Sequence, residues 1–477
     1  MTPPKLAFTS ILRVLGCSAG VVSAFAPARA QTTCVSTHVA EVFPQHTAAG
    51  DYLGGSLAIN AAGDRLAIGS AWHDHAAVDG GCVYVISDLG TPTQSEIELL
   101  PSLPGENSYF GTSTAINAEG DVLVVGAPGF FGGSTGFMGV FVFRFDGTNW
   151  NEEWHTPQLY SDGFGEDVAI DAAGEVIAVG AQQRLDLYGH PVGAVDIVRH
   201  QAGGWIREAM VRPADIQMFD HFGETLALSA SGNLLAAQSR SQYPVPNGAV
   251  YLFERIAGVW TQVAKIQETV AHSPGNFGAS IALAASETEI AIGSPFDWRL
   301  GYDAGAVMLY RKTGSSWVLD HELFGMQQGP DDYFGYAVAM TAAGDRVWVG
   351  AIGQMYQSLM SGAVYEFNRG NGAWPLQGRH FQPNPTNGAS FGRALCVDAA
   401  GDRWAASEPW TDLYGTDAGL VHLYDSSCTS PVVYCTAKTN SLGCVPQIAA
   451  QGTPSVSSPS GFVVSVSNTR NQREGLL

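Results

Sequence analysis

One short signature, an apolar residue followed by glycine, returns seven times at nearly constant spacing. No other feature constrains the fold of this chain as strongly. Leu53-Gly54 opens the series, and Phe110-Gly111, Phe164-Gly165, Phe222-Gly223, Phe277-Gly278, Phe334-Gly335 and Phe391-Gly392 continue it. The glycines lie 57, 54, 58, 55, 57 and 57 residues apart. A repeat of this length is a supersecondary unit that cannot cover its own apolar faces, so the units must pack against one another.

Every unit follows one script. An alternating segment ("TSTAIN", "EDVAID", "YAVAMT") meets a tight polar turn ("AEGD", "AAGE", "AAGD"), and a more continuous apolar segment follows ("VLVVGAP", "VIAVGA", "RVWVGA"). After a loop of variable sequence comes a glycine-anchored strand ("GVFVFRF", "GAVYLFE", "GAVMLYR"), then a turn and a fourth strand led by Trp150, Trp205, Trp260, Trp317 or Trp374. Four short strands per unit of about fifty residues predict propeller blades. The expected fold is therefore all-β, a seven-bladed β-propeller of four-stranded blades. Unit seven stops at Ser426-Ser427-Cys428 without its Trp and outer strand, while "VSTHVAEVFPQ" (Val35 to Gln45) precedes unit one as a strand without a blade. The N-terminal strand is expected to complete blade seven and hide two open edges. A Cys34–Cys428 disulfide would then staple the ring.

Residues 1–30 read as a signal peptide, because Lys5 and Arg13 precede the apolar run "VLGCSAGVVSAFA" and Ala28-Arg29-Ala30 fits a cleavage site. A lipoprotein reading with Cys17 as the anchor is weaker, since Arg13 interrupts its apolar stretch. Residues 31–428 form the propeller, and 429–477 a Ser/Thr/Pro-rich β-containing extension. No later segment has the roughly 18 to 20 apolar residues that span a bilayer. Without the leader, 20 basic residues face 44 acidic ones. Such a surface repels nucleic acid and anionic lipid. A secreted monomer is expected. Cys435 and Cys444 are expected to close a short loop in the extension, and Cys82 and Cys396 to be buried free thiols.

The Phe-Gly pairs, Gly126-Ala127-Pro128 with its relatives Gly293-Ser294-Pro295 and Gly350-Ala351, and the "GAVYLF" strands resemble FG-GAP repeats, as in the integrin α-subunit β-propeller. The resemblance spans Asp51 to Asp425 and implies a secreted or surface protein with a binding or adhesive role. Many such blades carry a calcium loop of DxDxDG type. Here that place holds "NAAGD", "NAEGD", "DAAGE", "SASGN", "ASETE", "TAAGD" and "DAAGD", each too short and too poor in carboxylates to surround a hard cation. The chain resembles a calcium-free branch, and no cofactor is expected.

No HExxH, GxSxG, GxxxxGK[ST] or GxGxxG occurs in a usable setting. "GFFGGSTG" (Gly129 to Gly136) is glycine-rich but lacks lysine. The best metal candidate is "WHDHAAVD", with His73, Asp74, His75 and Asp79, although HxH spacing is nonspecific and a solvated loop is the expected state. In an up-and-down blade, the loops between strands two and three share one face with the loops that enter the next blade. These long, dissimilar loops carry Trp72, Phe130, Phe131, Tyr188, Tyr243, Trp298, Tyr302, Tyr356, Trp410 and Tyr414, interspersed with Asp186, Asp297, Asp303, Asp412 and Asp417. Aromatic residues off the repeat template fit a recognition face. The expected function is noncatalytic binding or adhesion to an extracellular protein or glycan. A propeller-based polysaccharide lyase or hydrolase is the alternative, as is a purely structural envelope component. Charged side chains converging in the central channel would favour an enzyme, and an aromatic face over an empty channel would favour binding.

Overall fold

A computed structural model of the chain describes residues 33–129, 138–156, 162–240, 248–268, 276–326, 328–370, 372–429, 447–451 and 463–467. The leader and the Cys435–Cys444 pair lie outside the described residues. Seven four-stranded antiparallel sheets make a seven-bladed β-propeller. Blade one runs through Ser56–Ile59, Arg65–Ser70, Cys82–Ser87 and Ser95–Leu99. The innermost strands of blades two to seven are Ser113–Ile116, Phe164–Ile170, Leu226–Leu228, Ser280–Leu283, Phe334–Met340 and Leu395–Val397. Blade seven is completed on its outer edge by the N-terminal strand Thr33–Val42, antiparallel to Val421–Thr429, as expected. Cys34 stands directly opposite Cys428 in that register. Antiparallel partners have Cα atoms about 4.5 to 5.5 Å apart, within the span a disulfide bridges.

Among the described residues there is no helix, and so none long and apolar enough to cross a membrane. The extension contains an antiparallel strand pair, Gln447–Gln451 with Val463–Ser467. The loop of blade six also holds a small hairpin, Met355–Tyr356 with Leu359–Met360, turned by Gln357 and Ser358 at positive φ. No repeat of a template predicts such an insertion.

The apolar residues sort by strand position. Second strands such as Val122–Ala127 are buried throughout, because a neighbouring blade covers each of their faces. The described core divides into seven clusters, each shared by two successive blades. Leu53, Phe110, Phe222, Phe277, Phe334 and Phe391 of the repeat signature are fully buried in them. Phe110, for example, meets Phe141 edge-on at 5.2 Å.

The two glycines of the repeat have separate causes. The glycine of each Phe-Gly pair holds φ between +88° and +97°, a conformation that strains any residue with a Cβ. The glycine ending strand two faces the next blade's backbone. A Cβ on Gly69, Gly126, Gly180, Gly293 or Gly350 would lie 2.0 to 2.1 Å from the carbonyl oxygen of Gly111, Gly165, Gly223, Gly335 or Gly392. Glycine here lets adjacent blades touch backbone to backbone.

The polar first turns also have a structural task. Asn60 and Asn117 each accept two backbone N–H bonds inside the turn and donate to Asp64 and Asp121 at 2.8 and 2.7 Å. Ala61 N–H donates to Ala118 O, Ala118 to Ala172 and Ala172 to Ala230; Ala285 donates to Ala342, Ala342 to Ala399, and Ala399 back to Ala61. These six backbone bonds hold the inner turns in a ring around the lower end of the channel. Arg65, Arg346 and Arg403 add a second link by donating to Gly120, Gly401 and Gly63 of the next blade.

Candidate functional site

The long loops after the second strands gather on the face opposite this ring, where the innermost strands begin. Trp72 is exposed and packs between Tyr52 and Tyr109, with ring centroids 5.4 and 4.9 Å away. Trp298 stacks on Tyr302 at 5.0 Å and donates Nε1–H to Asp303 at 2.6 Å. Tyr414 stacks on Phe43 at 4.4 Å and donates to Glu41, Tyr356 stacks on Phe381 at 4.0 Å, and Tyr188 is 85% exposed. Phe130, Phe131 and Tyr243 lie outside the described residues. The interspersed acids build loops: Asp297 is buried against Arg299, while Asp186 and Asp412 accept backbone N–H groups of their own loops.

At the centre of this face the channel opens into a cavity of about 570 Å³. Its wall is a column of the repeat. The residue directly after each Phe-Gly pair reads Gly55, Thr112, Glu166, Glu224, Ala279, Tyr336 and Arg393, and all seven line the cavity. The next residue ties blades together: Ser56, Ser113 and Ser280 donate to the carbonyls of Gly111, Gly165 and Gly335. Blade three has Asp167 there, which accepts N–H bonds from Val168 and from Leu226 of blade four. Below the mouth lies a second space of about 300 Å³, lined mostly by apolar side chains. Ile59, Ile116, Ile170, Leu228, Leu283, Met340 and Val397, one per blade, form its throat. These side chains offer a charged group no partner.

The mouth is electrically divided. Blades three and four supply Glu166, Asp167 and Glu224, and blades six and seven supply Tyr336 and Arg393. Arg240 donates to Glu224 at 3.1 Å. Burial, with help from nearby Glu224, pushes the Glu166 carboxyl up. Burial raises Asp167 to about 7 in spite of its two N–H donors. Arg393 donates to the Tyr336 hydroxyl and lies 4.6 Å from the Tyr336 ring centroid and 5.3 Å from that of Trp410. Burial pushes its guanidinium down. Trp410 thus joins the aromatic face to the channel. Sequence reasoning missed Glu166, Glu224, Tyr336 and Arg393. The available signal was the one template column whose chemistry changes from blade to blade between fixed neighbours.

A carboxyl raised on folding binds its proton more tightly in the folded chain than in the unfolded one, so stability falls as pH rises from the ordinary carboxylate range through the raised value. For Asp167 that window runs from about 4 to about 7. Glu166→Gln is expected to raise Tm by roughly 2 °C at pH 8 and to leave it unchanged at pH 4. Equal shifts at both pH values in thermal melts would show that the carboxyl is not strained by its charge.

The histidine loop is organised differently from the pattern expected of it. His73 and His75 do converge, but on Glu98 of the outer strand and beside His46. Asp74 instead accepts the Asp79 backbone N–H at 2.8 Å, and neither acid joins a described cluster with the histidines. Cys82 and Cys396 are buried and free.

No family model matches the chain, and no curated protein matches it. Among solved structures, it is similar to the β-propeller domain of Cps50 (Swd1) from Myceliophteria thermophila, at 13% identity and a TM-score of 0.52 over 82% of this chain and 99% of that one. At that identity the likeness concerns the fold alone.

Proposed function

We propose that this chain is a secreted or cell-surface binding protein of the FG-GAP type. It takes an extracellular protein or glycan on the face where the channel opens, with Glu166, Glu224, Tyr336 and Arg393 at the centre and Trp298 and Trp410 among the surrounding aromatics. One observation carries the reading. A single column of an otherwise regular repeat holds two acids, a tyrosine and an arginine, all turned into one cavity. The scaffold has no need of them there, since Gly55 and Ala279 fill the same position in other blades. Charges held at a cost in burial, at a position the scaffold fills elsewhere with glycine or alanine, support a site shaped for a ligand.

The test is a glycan and extracellular-protein array with the purified protein, repeated with Arg393→Ala, Trp410→Ala and Trp298→Ala. The expected result is a ligand whose signal falls at least tenfold with Arg393→Ala and Trp410→Ala. Full binding by all three variants would refute this choice of face. A polysaccharide lyase or hydrolase is favoured by one specific observation: carboxyls raised toward neutrality share the cavity with Tyr336 and Arg393, as acid–base chemistry needs. Glu166→Gln separates the readings, because it would abolish turnover of a polysaccharide and only weaken its binding.

A further inference from the structure

Three histidines meet one carboxylate at the edge of blade one. His46 Nδ1 lies 2.7 Å from Glu98 Oε2, His75 Nδ1 2.8 Å from Glu98 Oε1, and His73 Nε2 3.2 Å from the same Oε1. The donors come from three separate places. His46 belongs to the segment linking the closing strand to blade one, His73 and His75 to the loop after strand two, and Glu98 to the outer strand. The imidazoles of His46 and His75 are 61% and 51% exposed, which gives an ion a path in, while His73 is buried beneath them.

His73 buttresses the cluster from below. Its Nδ1 is 2.8 Å from the buried Asp51 carboxylate, an arrangement that holds the ring under Glu98. Nε2 is buried and faces Glu98 without hydrogen-bond geometry. One donor atom from each of His46, His75 and Glu98 lies within 4.8 Å of the other two. Imidazole nitrogens with a carboxylate are the donor set of zinc-class cations rather than of calcium or magnesium.

We propose that His46, His75 and Glu98 bind a zinc-class divalent cation, with solvent in the fourth position of its tetrahedron and His73, held by Asp51, packed against Glu98 from below. The ion joins the linker after the closing strand to the body of blade one, next to the ring's seam. It is independent of the channel mouth.

The experiment uses the purified protein at pH 7.5 with zinc, and with cobalt as a spectroscopic substitute. Stoichiometric zinc binding by calorimetry is expected, with a rise in Tm of roughly 3 to 5 °C at a hundredfold excess over Kd. Visible absorption from tetrahedral cobalt is expected as well. His46→Ala with His75→Ala changes only exposed rings, so the variant should fold normally and lose both signals; Asp74→Asn should keep them. Zinc binding that survives in the double histidine variant, a wild-type protein with no stoichiometric uptake, or an equal Tm shift with calcium would each overturn the proposal.

Discussion

A chain beginning at Phe43, without the strand Thr33–Val42, is expected to melt more than 10 °C below the intact protein and to aggregate, with Tm restored by a synthetic peptide of residues 33–42. The reasons are topological and local. Removing the strand bares the edge Val421–Thr429, a row of unpaired backbone groups open to any other chain. It also strips the seam of its polar contacts. Ser36 donates to Glu366 of blade six at 2.7 Å, Trp404 Nε1 donates to Ser36 at 3.1 Å, and His38 meets His422 at 3.2 Å. Glu366 is buried with Arg346 at 2.7 Å, so loss of Ser36 leaves a buried ion pair less completely satisfied. Cys34→Ser tests the staple separately. It should lower Tm under oxidising conditions and leave it unchanged under reducing ones, since closing so long a loop contributes at most ~4 to 5 kcal/mol. A truncated chain melting within about 2 °C of the intact one would show that the ring does not depend on this closure.

Gly126→Ala should destabilise the protein by about 3 kcal/mol or more in denaturant melts, a large effect for one added methyl. The new Cβ would stand 2.0 Å from Gly165 O and 2.3 Å from Ser113 Oγ. Backbone cannot rotate away as a side chain can, so blades two and three must separate. The control is Gly203→Ala, where a Cβ meets nothing within 4 Å and φ is ordinary; it should change stability by less than about 0.5 kcal/mol. Similar losses in both variants would mean that glycine's backbone freedom, and not the blade contact, explains the repeat.

The sequence was most legible where one rule applies seven times. Alternation along the first strands, the continuous apolar second strands and the buried Phe of each signature all follow from covering a unit by copies of itself. The aromatic residues of the irregular loops could be listed from the sequence, but their partners were not foreseeable. Asp303 serves Trp298 and Glu41 serves Tyr414, contacts set by loop shapes that no template specifies.

By itself the sequence determined the blade count, the strand order and the closure by the N-terminal strand, because period, alternation and a seventh unit lacking its outer strand are properties of the chain read in one dimension. Only the tertiary structure decided which column of the repeat faces the channel mouth and which acid the histidines of the loop after strand two meet. Glu166 and Arg393 share a wall although 227 positions separate them, and His75 meets Glu98 across a blade rather than Asp74 beside it. Closing seven units into a ring converts equal positions in separate repeats into neighbours, and that convergence is set by the ring's curvature, which no single repeat contains.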